Sequence, residues 1–263
     1  MRLKLVPARQ GAVWVRLGLA IFFRRPVAYC LLFVLYLLVA PMAMFVVAPL
    51  ATLAFMIATQ QAMQGRFPTP AVFIEPLRVG TPQRWAQLQL GLAYAAGVSL
   101  VFWLGDTIGG RAFEALREAV SAGRTTPQEL EPLLGDSSLQ LGWLTLVGGI
   151  ALLAVPFWHA PALVHWGGHS AIKSLFFSTV ACWRNKGALV VFSLAWVAVV
   201  LVFAMISSTV FALLGVPQIA LAAITPGMLM LSAAFYASLF FTFADSFESP
   251  AIEAPPASLE TSP

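Results

Sequence analysis

The chain has 263 residues, of which 60% are apolar and only 10% charged, with 15 Lys and Arg against 11 Asp and Glu. A soluble domain carries about 25% charged residues, so this composition excludes an ordinary soluble globular protein. The small positive surplus then has to be read by its placement along the chain, not as a nucleic-acid footprint.

The N-terminal residues Arg2, Lys4 and Arg9 resemble the basic start of a signal peptide. The apolar run that follows begins late and far exceeds the 7–15 residues of a signal core, so no cleavage is expected. Residues 8–25 predict a helix whose Arg9 and Arg16, seven apart, share one face beside Val13, Trp14, Leu17, Ile21, Phe22 and Phe23. Such a helix suits the headgroup boundary, with its arginines reaching lipid phosphates; the same pattern also serves a helix packed against a bundle.

Residues 26–65 carry no charged side chain, with Arg24 and Arg25 before them and Arg66 after. A bilayer core needs about 20 apolar helical residues for one crossing, so this run is two crossings long. It predicts a helical hairpin over 27–46 and 50–63 that turns near Pro41 and Pro49, where proline is tolerated. Residues 64–87 form a connector stiffened by Pro68, Pro70, Pro76 and Pro82. Thr81-Pro82 is a good helix start, with Trp85 at the interface. The third crossing is expected over 88–104, with Gly91, Ala95 and Ser99 as a small-residue face.

Residues 105–140 are the one sizeable soluble segment, acidic on balance. Phe113, Leu116 and Val120 predict a short amphipathic helix over 111–121, and Thr126-Pro127-Gln128-Glu129 a capping box opening a second. Too short for a core of its own, the segment is expected to fold back on the bundle. The fourth crossing is expected over 141–157, with Gly142, Gly148 and Gly149 for close contact. Residues 170–186 then form the clearest amphipathic pattern. Ser170, Lys173, Ser174, Ser178, Arg184 and Asn185 fall on one arc, and Ile172, Leu175, Phe176, Val180 and Trp183 on the other, as in an interfacial helix. The fifth and sixth crossings fall at 187–206 and 219–241, joined by a turn at Gly215-Val216-Pro217, with Pro226 kinking the sixth. The Ala233/Ala237 and Ala234/Ser238 spacings favour close packing. The tail, 245–263, is rich in Glu, Pro and Ser and predicts disorder.

The fold class is therefore all-α: a polytopic membrane protein with six transmembrane helices and two interfacial amphipathic helices. Its termini share one side. That side carries Arg2, Lys4, Arg9, Arg16, Arg24, Arg25, Arg66, Arg78, Arg84, Lys173, Arg184 and Lys186, while the opposite side carries only Arg111, Arg117 and Arg124. This bias predicts that both termini are cytoplasmic. Cys30 and Cys182 then lie near the reducing side, and a disulfide is not expected. Each end of the chain joins an interfacial helix, a basic break and an uncharged hairpin, which fits either a diverged repeat or two independently inserted hairpins.

Val6-Pro7-Ala8-Arg9-Gln10-Gly11 with Trp14, then Ala160-Pro161-Ala162-Leu163, Lys173-Ser174-Leu175-Phe176-Phe177-Ser178 and Arg184-Asn185, resemble signatures of an uncharacterised family of bacterial integral inner-membrane proteins. The arrangement is also distantly similar to the membrane domain associated with glycerophosphodiester phosphodiesterases. The resemblance spans most of the chain, implies an inner-membrane location and carries over no catalytic residue.

His159, His165 and His169 are the chain's three histidines. His165 and His169, four apart, could share a helical face for a metal, but Gly167-Gly168 weakens that helix and no cysteine or carboxylate is near in sequence. Marking the bilayer edge is the plainer role. Asp106 and Asp245 stand at crossing ends and read as solvated end groups. No Asp, Glu, Lys or Arg lies in the middle of a predicted crossing, against a proton-coupled pump. No nucleotide-loop, zinc-hydrolase or nucleophile-elbow motif occurs, so neither catalysis nor a cofactor is expected. The leading expectation is a membrane-organising or accessory protein, with Arg9, Arg16, Arg24, Arg25, Lys173 and Arg184 contacting anionic headgroups. Its partners would be the cytoplasmic lipid face and a second copy or another membrane protein, not nucleic acid. A transporter or channel for an uncharged or amphiphilic solute is the alternative, and a hydrolase using the histidines a third.

Overall fold

A computed structural model describes residues 1–124, 126–216 and 220–248, leaving out the side chains of 40–44, 127 and 220–223. Nine α-helices are found among these residues: α1 (Gln10–Arg24), α2 (Pro26–Met63), α3 (Thr81–Ser121), α4 (Pro127–Leu134), α5 (Ser137–Phe157), α6 (Ala160–Gly167), α7 (Ala171–Arg184), α8 (Lys186–Leu213) and α9 (Ala220–Ser246). Two short strands, β1 (Arg2–Leu3) and β2 (Phe247–Glu248), pair antiparallel and bring the two ends of the described chain together.

The uncharged run is helical throughout α2, yet it is not one rod. In a straight helix Tyr29 and Thr59 would stand about 45 Å apart. Instead the Tyr29 hydroxyl donates to Thr59 Oγ1 at 3.1 Å, the Phe33 and Phe55 rings lie 6.2 Å apart, and the Arg25 guanidinium reaches the Gly65 carbonyl at 3.5 Å. These pairs centre on residue 44, so α2 doubles back there as the hairpin the sequence predicts. The Pro41 side chain lies outside the description, and Pro49 is buried in the returning arm. Thr59 Oγ1 in turn donates to the Ala237 carbonyl at 3.1 Å. This polar chain links both arms to α9 where apolar contact gains little, because lipid tails are as apolar as leucine.

Five stretches among the described residues are long and apolar enough to cross a bilayer. α1 and the outgoing arm of α2 reach that length only together, and they meet at a bend of 100°, the geometry of a broken span or a re-entrant loop. The molecule is an all-α polytopic membrane protein.

Several boundaries differ from expectation. The segment 105–140 is not a loop carrying an isolated helix. α3 runs unbroken for 41 residues through its predicted end at 104. Gly105 and Gly109 do not stop it, because each faces α5: a Cβ at Gly109 would lie 3.2 Å from Gly142 Cα. α4 follows with its capping box formed, and α5 begins at Ser137, four residues early, capped by the Asp136 carboxylate. Of the expected small-residue contacts on α5, Gly142 and Gly149 meet α3, whereas Gly148 faces open space. α8 and α9 pack together; of the expected turn, Gly215 takes φ +72°, while Pro217 and the expected start at 219 lie outside the described residues.

α1 turns its apolar face inward. Trp14, Ile21 and Phe22 are buried, Trp14 against Phe192 of α8 and Asp245 of α9 and Phe22 beside Tyr29 of α2. Gly11 and Gly18 make this possible: a Cβ at Gly11 would sit 2.1 Å from the Ala188 carbonyl oxygen, and one at Gly18 2.3 Å from Ser238 Cβ. The tail prediction also needs correcting at its start. Residues 245–248 are structured, and the Asp245 carboxylate accepts from Trp14 Nε1 at 2.6 Å and Gln10 Nε2 at 2.8 Å. Asp245 is an internal tie, not a solvated end group. The rest of the predicted tail, 249–263, lies outside the described residues.

Candidate functional site

At the end of the bundle where β1 and β2 meet, α6 and α7 form a platform. The left-handed Gly168, at φ +63°, ends α6. α7 then packs its small polar residues inward: Ser174 and Ser178 are buried with Ala171, Ala181 and Cys182. The large apolar residues point out, with Ile172 81%, Phe176 63% and Trp183 71% exposed. The structure divides the polar arc predicted for this helix: Ser174, Ser178 and Asn185 face protein, whereas Ser170, Lys173 and Arg184 are exposed. Inside, the Ser178 hydroxyl donates to the Val155 carbonyl and accepts the His159 amide, both at 3.0 Å, pinning α7 to the α5–α6 junction. Outside, Lys173 and Arg184 are exposed beside the apolar residues, as are Arg9, Arg16 and Arg24 on α1. Arg25 is half-buried, with its guanidinium 5.7 Å from the Phe67 ring centre.

Asn185, between α7 and α8, is the hub of this end. It is 2% exposed. Its Oδ1 accepts from the Val6 amide at 3.0 Å, and its Nδ2 donates to the Lys4 carbonyl at 3.0 Å and to Ser246 Oγ at 3.2 Å. The sequence placed Asn185 on the polar arc without signalling this role.

The three histidines do not converge. His159 packs its ring 5.8 Å from Phe243 and 5.5 Å from Phe247, His165 lies 5.4 Å from Trp166, and His169 lies 5.4 Å from Phe177. Among the described residues no three His, Cys, Asp or Glu side chains form a metal-binding group. The His169 pKa is lowered, first by partial burial and then by the N-terminal ammonium and Lys173. Cys30 and Cys182 are free thiols.

A second feature lies inside the bundle. Three of the chain's four tyrosines, Tyr36, Tyr94 and Tyr236, line a chamber of about 230 Å³ between α2, α3, α5 and α9, together with Thr52 and Trp158. The Tyr36 and Tyr236 rings lie 5.8 Å apart. The sequence held one signal for it, phenol hydroxyls inside otherwise apolar crossings. Among the described residues no ionisable group lines the chamber besides these phenols, so it suits uncharged polar groups.

This architecture, with its outward apolar helices and basic end, defines a polytopic α-helical membrane protein. No family model matches the chain, and no solved structure matches it. A probable inner membrane protein of Burkholderia thailandensis is 30% identical over 260 residues, which cover 94% of this chain and 94% of the relative. The chain belongs to the same family of bacterial inner-membrane proteins.

Proposed function

We propose that this inner-membrane protein organises lipid at its basic face without catalysing a reaction, and that this face, with both termini, is cytoplasmic. The observation that carries the reading is α7. An amphipathic helix held to the bundle by buried serines presents Ile172, Phe176 and Trp183 outward, with Lys173 and Arg184 beside them. Apolar side chains entering the headgroup boundary next to cations favour anionic lipids by about 1 kcal/mol per cation. The orientation rests on the bias of Lys and Arg toward this end. The test is the lipid preference of the reconstituted full chain, measured by spin-labelled phosphatidylglycerol against phosphatidylcholine. Lys173→Gln with Arg184→Gln is expected to reduce the preference for the anionic lipid several-fold. An unchanged preference would overturn the reading.

The tyrosine chamber favours a second reading, a transporter for an uncharged or amphiphilic solute. Its hydroxyls offer donors and acceptors within the bundle, and α9, which carries Tyr236, also contains Pro226. Single cysteines along 88–104 and 224–241 would label from water with helical periodicity if the chamber belonged to a hydrated path. Protection throughout would exclude it.

A further inference from the structure

α7 touches both α5 and α8, which hardly meet each other. The gap is a groove of about 530 Å³. Ala151 and Val155 of α5 form one wall, Val190 and Leu194 of α8 the other, and Trp183 and Lys186 stand at its mouth. From Lys186 to Leu194 the groove rises about 12 Å along α8. That is within one leaflet of a core about 30 Å thick. Its shape is therefore that of a single acyl chain entering from the face where α7 lies. A crossing helix from a second copy would need contact along the full thickness.

The mouth supplies the head-group chemistry. The Lys186 ammonium lies 4.8 Å from the Trp183 ring centre, and Arg184 is exposed two residues before it. None of the residues lining the groove is acidic. A lysine stem lying along apolar surface with its ammonium at the boundary is placed to meet a phosphodiester. Trp183 marks the depth at which headgroups begin.

We infer that the groove between α5 and α8 binds one anionic phospholipid, with an acyl chain between Val155 and Val190 and the phosphate at Lys186 and Arg184. This deepens the lipid-organising reading by giving it a discrete site. Ala154 and Trp158 form a wall shared by this groove and the tyrosine chamber, so an occupied groove also supports the chamber's side.

Native mass spectrometry of the full chain, released from detergent and titrated with phosphatidylglycerol or phosphatidylcholine of matched chains, tests the inference. One phosphatidylglycerol is expected to bind at least ten-fold more tightly than any further copy. Ser193→Trp, which fills the groove from an exposed position, is expected to weaken that first binding at least ten-fold. Leu201→Trp, equally exposed elsewhere on α8, leaves it unchanged. Lys186→Gln is expected to weaken phosphatidylglycerol about five-fold and phosphatidylcholine hardly at all. Thermal unfolding of each variant reports whether it is folded. Graded binding with no distinct first lipid, equal loss in both tryptophan variants, or dimers in place of lipid adducts would each overturn the site. The spin-label preference reads the lipid surrounding the whole protein. A wild-type chain that shows no such preference but binds one distinct phosphatidylglycerol would reject the general reading and keep the groove, and the reverse result would do the opposite.

Discussion

Asn185→Ala is expected to release the N-terminal strand while leaving the helical bundle intact. The carboxamide makes three hydrogen bonds, to the Val6 amide, the Lys4 carbonyl and Ser246 Oγ. Each contributes about 1 kcal/mol net, and truncation leaves buried partners unpaired. Allowing for water entering the site, the loss is about 2–4 kcal/mol, confined to residues that meet at this hub. Hydrogen exchange reads it directly. The Val6 amide loses its acceptor, and the Lys4 amide depends on the Ser246 carbonyl at 2.9 Å in the same cluster. Both are expected to exchange about 30- to 700-fold faster, the equivalent of that free energy when exchange follows local opening. Amides in the middle of α8 and α9 keep their wild-type rates. Unchanged exchange at Val6 and Lys4 would refute the reasoning and show that α1 alone holds the terminus.

Two further outcomes follow from packing and burial. Gly11→Ala places a methyl 2.1 Å from the Ala188 carbonyl oxygen and 2.5 Å from the Phe192 nitrogen, and is expected to cost about 1–3 kcal/mol in unfolding measured in detergent. Gly148→Ala, which meets nothing within 4 Å, is expected to be neutral or to gain up to about 1 kcal/mol from helix propensity; equal effects of the two substitutions would contradict the α1–α8 contact. Burial pushes the Cys182 thiol up to about 12. The thiolate is the reactive form, so maleimide labelling of Cys182 in the folded protein is expected to be very slow at pH 7.5. It should accelerate as pH rises toward that value, and rapid labelling at pH 7.5 would show the site to be open.

Much of the membrane architecture was legible because charge is so scarce. The uncharged run gave the α2 hairpin from length alone, and Thr126 with Glu129 gave the α4 capping box. What misled was the direction of an amphipathic face. In water the serines of α7 would face out. At a bilayer they are the residues small enough for close helix packing, so they turn inward and Ile172, Phe176 and Trp183 turn to lipid. Pattern grouped Ser174 and Ser178 with Lys173 and Arg184 without saying which of them faced protein. The same ambiguity applied to α1, where Gly11 and Gly18 were the unread clue to close approach. Asp245 read as a solvated end group because its partners, Gln10 and Trp14, lie more than 200 residues away. The tyrosine chamber draws on helices far apart in sequence, so spacing could not assemble it.

The first helix is locked by the last. Gly11 needs α8, while Trp14 and Gly18 need α9, so the opening segment emerges from the ribosome without its partners. At about 5–20 residues per second, α9 follows some 10–50 s later. During that interval the apolar face of α1 has only lipid or the insertion machinery to shelter it. Pairing of β1 with β2 must then be a late event in biogenesis, and a chain truncated before Asp245 would keep its earlier crossings but leave its amino terminus undocked.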